Sequence, residues 1–238
     1  MLNFHMRKLK TIAIIPARGG SKRIPHKNIM DFMGKPLIAW TIEAAKEAAI
    51  FDRIIVSTDD RIIAEIAEGY GVEVPFLRNG ASDDITPVSI ATIESVKQAQ
   101  ECWGEEYNVV MQLMATCPLR NRKEIINSFN HFIQAKVNYQ LSCFKFNYMN
   151  PWWAFKLKKD YRPEYIFKKF YGKRSQDLPE LYCPTGAIWI AKTKDLIREN
   201  SFYGNGHIFY PIDWKAAIDI DNFEDAEFAE AVFRQNCF

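Results

Sequence analysis

Short, almost continuously apolar runs alternate with helically spaced segments along most of this chain, and that alternation restricts the fold more than any other feature. Residues 11–17 (TIAIIPA), 52–57 (DRIIVS), 107–114 (YNVVMQLM) and 140–146 have the length and β-branched content of strands. Between them, residues 36–49 set Leu37, Ile38, Thr41, Ile42 and Ala45 at helical spacing. Residues 60–70, 88–102 and 123–135 repeat that pattern, and a short apolar run, 72–76, follows the first of them. Strands that are apolar throughout are buried on both faces, which predicts a mainly parallel sheet covered by helices on either side. The alternation lapses between residues 150 and 182, where Trp152, Trp153 and many other aromatics share a segment with Lys168, Lys169, Lys173 and Arg174. It resumes at 186–191 (GAIWIA), and 216–221 (AAIDID) reads as a late strand before a C-terminal helix. With neither an internal repeat nor a low-complexity linker, the pattern predicts one core, residues 1–145 and 183–238, carrying an insertion at 146–182.

Charge and cysteine content exclude several classes. The 31 basic and 29 acidic residues leave a net charge of +2, so no global charge calls for nucleic acid. No apolar run reaches the roughly 18–20 residues of a membrane span, and the basic stretch 1–10 lacks the apolar core of a signal peptide. Five cysteines form no CxxC pair, which argues against a zinc knuckle or a disulfide framework. A soluble, cytoplasmic protein is expected.

In open α/β sheets ligands gather beyond the carboxyl ends of the strands. The loop after the first strand is Pro16-Ala17-Arg18-Gly19-Gly20-Ser21-Lys22-Arg23-Ile24-Pro25-His26-Lys27-Asn28. Glycines that let backbone amides come close, surrounded by Lys and Arg, suit a polyphosphate. Neither GxxxxGK[ST] nor GxGxxG spacing is present, so this is not a Walker A loop or a dinucleotide fingerprint. The plainer reading is a solvated basic loop with turn glycines. Asp219 and Asp221 form a second constellation: i,i+2 on a strand turns both carboxylates to one face, a grip for a hard cation such as Mg²⁺. Asp221 and Glu224 also have the spacing of a capping box for the last helix.

These residues carry a resemblance. IIPARGGSKRIPHKN followed by GKPLIAWTIEAA resembles the opening of the sialic-acid-type cytidylyltransferases, the CMP-sialate synthetases. The likeness continues through FDRIIVSTD (51–59), GVEVPFLR (71–78), ATCPLR (115–120) and TGAIWI (185–190), and closes with AIDID (217–221). It implies a three-layer α/β fold of the nucleotide-diphospho-sugar transferase (Rossmann-like) type, with residues 146–182 as an inserted dimerisation segment. The implied reaction is attack of a nine-carbon 3-deoxy-2-ulosonic acid on the α-phosphate of CTP, with pyrophosphate leaving and Mg²⁺ as cofactor. By the same likeness Ala17, Arg18, Gly19, Gly20, Ser21, Lys22, Lys27, Asn28, Arg78 and Ser89 bind nucleotide. Arg18, Lys22 and Asp219 are catalytic, and Asp219 with Asp221 holds the metal. Gln112, Met114, Arg174 and Trp189 contact the sugar, Arg174 from the other subunit of a homodimer.

Two departures bear on the acceptor. Met114 stands where the family commonly has a sugar-contacting glutamine, with Gln112 two residues earlier, and Cys183 falls where an arginine is usual. Losing polar partners predicts an acceptor less polar than N-acetylneuraminic acid. The competing readings are a cytidylyltransferase for an eight-carbon acid such as Kdo, and a non-catalytic nucleotide- or RNA-binding module on the same sheet. His5, His26, His131 and His207 show no metal-ligand spacing, and Cys117 has no evident base partner. The aromatic and basic segment reads better as a subunit contact than as a nucleic-acid stacking platform.

Overall fold

A computed structural model describes residues 9–78, 86–147 and 149–236. Most of the basic N-terminal stretch, His5, Cys237 and residues 79–85 of the loop before Thr86 lie outside the described residues. In chain order the strands are β1 (Thr11–Pro16), β2 (Asp31–Phe32), β3 (Lys35–Pro36), β4 (Arg53–Ser57), β5 (Val109–Gln112), β6 (Tyr139–Lys145), β7 (Phe155–Leu157), β8 (Pro163–Tyr165), β9 (Tyr182–Lys192) and β10 (Ile208–Pro211). The helices are α1 (Leu37–Ala48), α2 (Arg61–Gly69), α3 (Val88–Trp103), α4 (Arg122–Ala135), α5 (Thr193–Glu199) and α6 (Phe223–Asn236).

Six strands make one sheet in the order β10-β6-β9-β5-β1-β4. β1 pairs in parallel with β4 and β5, and β10 with β6, whereas β9 runs antiparallel to both β5 and β6. The sheet is therefore mainly parallel, as expected, with one reversed strand that the sequence does not mark. All six residues of β1 are buried, and their alternation divides the core. Ala13 and Ile15 face Ile38, Ile42 and Ile63 of α1 and α2; Ile12 and Ile14 face Ile93 and Val96 of α3 and Leu196 of α5. Three layers follow from that alternation. α2 and α4 begin at side-chain caps, Asp60 accepting from the Ile62 and Ile63 amides and Asn121 from those of Lys123 and Glu124.

Two expectations need correction. Residues 72–76 contribute only one bridge, Ile55 to Glu73, and not a strand. Residues 216–221 form no strand either; the nearest one, β10, lies upstream at Ile208–Pro211. The chain after it is drawn into turns, with the Lys215 amide donating to Asp213 Oδ1 (2.9 Å) and the Ala217 amide to the Asp213 and Trp214 carbonyls (3.2 Å each). Ile220 is wholly enclosed in a third cluster with Ile24, Phe32, Leu37 and Ala229, beneath α6. Its amide donates to the Thr116 carbonyl at 2.9 Å. The buried Ile220 side chain and its amide bond are thus among the contacts that anchor the segment bearing Asp219 and Asp221.

The cap of α6 also differs from the expected pair. Asp225 accepts from the amides of Asp221 (2.9 Å) and Asn222 (3.0 Å), while Asn222 Oδ1 accepts from the Asp225 amide (2.9 Å). That is a reciprocal box one residue later than Asp221–Glu224, and it leaves the Asp221 carboxylate out of the cap, free to pair with Lys27 and Arg23. Asn222→Ala is expected to lower stability by about 1 kcal/mol. Glu224→Ala should be neutral in the same urea titration, and equal losses from the two variants would contradict the assignment.

Candidate active site

A cleft of about 540 Å³ opens over the carboxyl ends of β1 and β5. Arg18, Ser21, Lys22, Arg23, Lys27 and Asn28 line it from the loop after β1, Arg78 from the segment after β4, and Asp219 and Asp221 from the segment before α6. Internal bonds shape the loop. Buried Asn28 donates through Nδ2 to the Arg18 carbonyl (2.9 Å), tying the two ends together. His26 adopts a left-handed backbone (φ 51°), turning the chain so that Lys27 and Asn28 fall on the cleft wall. Gly19 donates its amide to Asp59 Oδ1 (2.8 Å), and a Cβ there would lie 2.6 Å from Asp60 Oδ2. Gly19 is therefore demanded by packing against the start of α2. Ala17 is buried with its amide on the Ser57 carbonyl (2.9 Å). Ala17, Gly19 and Gly20 support the loop without lining the cleft.

Arg78 is buried, and its Nε has no partner among the described residues. Burial draws its pKa down; Asp59 and Glu94 oppose that shift, and Arg18 adds to it. A buried cation short of acceptors, beside another arginine, favours an anionic ligand. The carboxylates opposite differ from each other. Burial pushes the Asp219 carboxyl above its usual range despite a hydrogen bond with Thr116 and the charge of Lys27. Asp219 Oδ1 is buried without a hydrogen-bond partner among the described residues. Burial also pushes Asp221 upward, but Lys27 and Arg23, each 2.9 Å from Oδ1, outweigh it and hold the carboxyl below its usual range.

Asp219 and Asp221 share the cleft although no strand holds them: buried Ile220 between them sends its neighbours to the opposite side. Ser89 is buried on α3, and Thr86, Val88 and Ala91 around it provide the lining instead. Gln112 is wholly enclosed: Thr92 Oγ1 donates to its Oε1 (2.6 Å), and its Nε2 reaches toward Met114 Sδ (3.9 Å). Of the two expected sugar contacts in and just past β5, Met114 lines the cleft and Gln112 does not. Trp189 donates Nε1 to the Thr185 carbonyl (2.9 Å) and packs on Phe202 and Tyr203, away from the cleft. Arg174 is exposed and paired with Asp177 at 2.8 Å, also outside the cleft of its own chain. Thr116, which sequence reasoning passed over, lines the cleft; its position inside the ATCPLR run was the available signal. Cys117 is enclosed, and burial pushes its thiol far above its usual range, which removes it as a nucleophile.

A family profile described as cytidylyltransferase matches residues 12–149. The pseudaminic acid cytidylyltransferase of Campylobacter jejuni subsp. jejuni serotype O:23/36 (strain 81-176) is 36% identical over 228 residues, covering 96% of this chain and 98% of that protein. The N-acylneuraminate cytidylyltransferase of Escherichia coli O18:K1:H7 (strain RS218 / NMEC) is 32% identical over 222 residues, 93% of this chain and 52% of that one. The solved structure of CMP:2-keto-3-deoxy-manno-octonic acid synthetase complexed with CTP superposes with a TM-score of 0.70 over 95% of this chain and 99% of its own, at 17% identity, a likeness of fold. Strand-end loop, opposed carboxylates and near full-length similarity agree: the chain belongs to the cytidylyltransferase family.

Proposed function

We propose that this protein transfers CMP from CTP to the 2-hydroxyl of a sialic-acid-like nonulosonic acid and releases pyrophosphate. The observation that carries the reading is one cleft in which Arg18, Lys22 and Arg78 face Asp219 and Asp221 at the end of β1. Relatives named for pseudaminic and N-acylneuraminic acids, both of this acceptor class, support it over the eight-carbon alternative. Arg18, Ser21, Lys22 and Arg78 hold the triphosphate. Lys27 and Asn28, engaged with Asp221 and the Arg18 carbonyl, keep the loop and the carboxylate in register. The acceptor hydroxyl oxygen bonds to the α-phosphorus, the bond to the β-phosphate oxygen breaks, and the hydroxyl proton passes to solvent. Arg18 and Lys22 offset the charge that grows on the leaving pyrophosphate, since such transfers depend mainly on positioning and electrostatics.

The donor set suits Mg²⁺. Among the described residues no three His, Cys, Asp or Glu side chains cluster, but this cation needs only one or two carboxylates, with phosphate and water completing its shell. Asp219, whose buried Oδ1 has no hydrogen-bond partner among the described residues, is the principal ligand, and Asp221 the second. Bound there, the ion would supply Lewis-acid charge for the phosphates and for the attacking hydroxyl. Lys22→Ala and Asp219→Asn are each expected to reduce turnover by about 2–4 kcal/mol of barrier without lowering the melting temperature. Only Asp219→Asn should also shift the Mg²⁺ dependence, and a wild-type response in that variant would remove Asp219 as a ligand.

The acceptor is proposed to be less polar than N-acetylneuraminic acid. Met114 lines the cleft, and enclosed Gln112 has both ends of its amide engaged, so extra sugar hydroxyls would be desolvated without replacement bonds. The expected ratio of kcat/KM for a 5,7-diamido-9-deoxy nonulosonic acid over N-acetylneuraminic acid is above one. Measuring pyrophosphate release across a panel of acids tests both statements: a ratio below one overturns the preference, and silence with every acid overturns the activity.

The working unit is proposed to be a cytoplasmic homodimer with a shared sugar site. CTP is available in the cytoplasm, and no helix among the described residues is long and apolar enough to cross a membrane. Phe155, Leu157, Tyr161 and Tyr171 are exposed on and around the β7–β8 hairpin, a patch of the kind that marks interfaces. Arg174 stands on the same segment, where a second copy could meet it. Sedimentation should give a dimer, and a fully active monomer would contradict the shared site.

A further inference from the structure

The guanidinium of Arg120 is enclosed by protein and takes part in no ion pair among the described residues. Burial lowers its pKa to about 10, so it remains charged at neutral pH. Enclosing a cation with no carboxylate in direct contact is costly, even with the charge of Asp219 acting from a distance, and a methionine of similar length would fill the space without that penalty. What Arg120 has instead is a fork of three acceptors. Nη1 donates to the carbonyls of Ala187 (2.7 Å) and Met114 (3.1 Å), and Nη2 donates to Thr41 Oγ1 (2.8 Å). Thr41 Oγ1 donates onward to the same Met114 carbonyl (3.2 Å), closing a ring.

These acceptors belong to three different parts of the fold: Thr41 in α1, Met114 just past β5, and Ala187 in β9. The guanidinium is planar and rigid, so it fixes their separation as a flexible lysine could not. Within the turn it pins, from Met114 to Arg120, the main-chain bonds Cys117 to Met114 and Arg120 to Cys117 are long, both 3.4 Å. On its upper side that turn presents Met114 and Thr116 to the cleft. Thr116 holds the other half of the site through its hydrogen bond with Asp219 and its carbonyl on the Ile220 amide. Arg120 does not line the cleft.

We infer that Arg120, with Thr41, is a positioning residue for CMP transfer, holding the 114–120 turn from below so that Asp219 keeps its distance from the phosphate-binding loop. The inference rests on the cytidylyltransferase activity proposed above. CTP is gripped by the loop after β1, which Arg120 does not touch, so loss of the fork should act on turnover and not on nucleotide affinity. Misplacing reacting groups by about 1 Å costs about 100-fold in rate.

The test compares Arg120→Met, Arg120→Lys, Thr41→Val and Thr41→Ser by pyrophosphate release, with the KM for CTP and the melting temperature measured alongside. Arg120→Met should lose about 100-fold in kcat with the KM for CTP nearly unchanged, and Arg120→Lys should recover part of the loss. Thr41→Val removes the shared hydroxyl and should lower kcat in the same pattern, whereas Thr41→Ser stays close to wild type. If Arg120→Met fails to fold, the Thr41 pair decides. Wild-type kcat in Thr41→Val and Arg120→Lys, with only the melting temperature reduced, would make the fork purely structural and overturn the inference. A wild-type protein that releases no pyrophosphate with any acid would overturn the activity, and the inference with it.

Discussion

Strand β1 lies between β4 and β5, hydrogen-bonded to both, and all six of its residues are buried, so the chain leaving it at Pro16 has no sheet to continue into. Its neighbours end beside it, and the connections from β1 and β5 must diverge to reach helices on different parts of the molecule. That divergence opens the cleft, at the point where the strand order changes direction about β1. Ser21, Lys22, Arg78, Met114 and Asp219 are arranged around it because each lies just beyond a strand end or is bonded to a residue that does.

Charge within the cleft is distributed unevenly, and the unevenness has chemical value. Asp221 is paired through Oδ1 with Lys27 and Arg23, so the proposed second ligand also anchors the basic loop. Among the described residues, Asp219 is left with an unpartnered oxygen and Arg78 with an unpartnered Nε. Those two groups pay the desolvation cost of burial without the hydrogen bonds that usually offset it. A nucleotide with its cation would supply what both lack: phosphate oxygens for the arginine and positive charge for the carboxylate.

The sequence was most legible where local pattern decides structure. Alternating runs placed β1, β4, β5 and β6 and the four long helices between them, because burial on both faces imposes apolar continuity. The basic loop was legible from its position after a strand. Long-range partners were not visible in the same way. The reversal of β9 depends on pairing with strands far away in the chain, and GAIWIA reads alike in either direction. Asp219 and Asp221 share a face because Ile220 is buried beneath α6, not because a strand alternates there. Gln112 turns inward to Thr92 on α3, and the acceptors of Arg120 are mainly carbonyls, which carry no sequence signature. In the α6 cap, DNFED offers two overlapping boxes, and the three-dimensional path selects the later one.

All of this converges on one bond, that between the α- and β-phosphates of CTP. Phosphorus NMR of CTP incubated with the protein, Mg²⁺ and a nonulosonic acid follows each phosphate separately. The account predicts that the α-phosphate signal becomes that of a CMP diester while free pyrophosphate appears in equal amount, and only when the acid is present. Release of inorganic phosphate with CDP, or CTP left intact beside a bound acid, would contradict it.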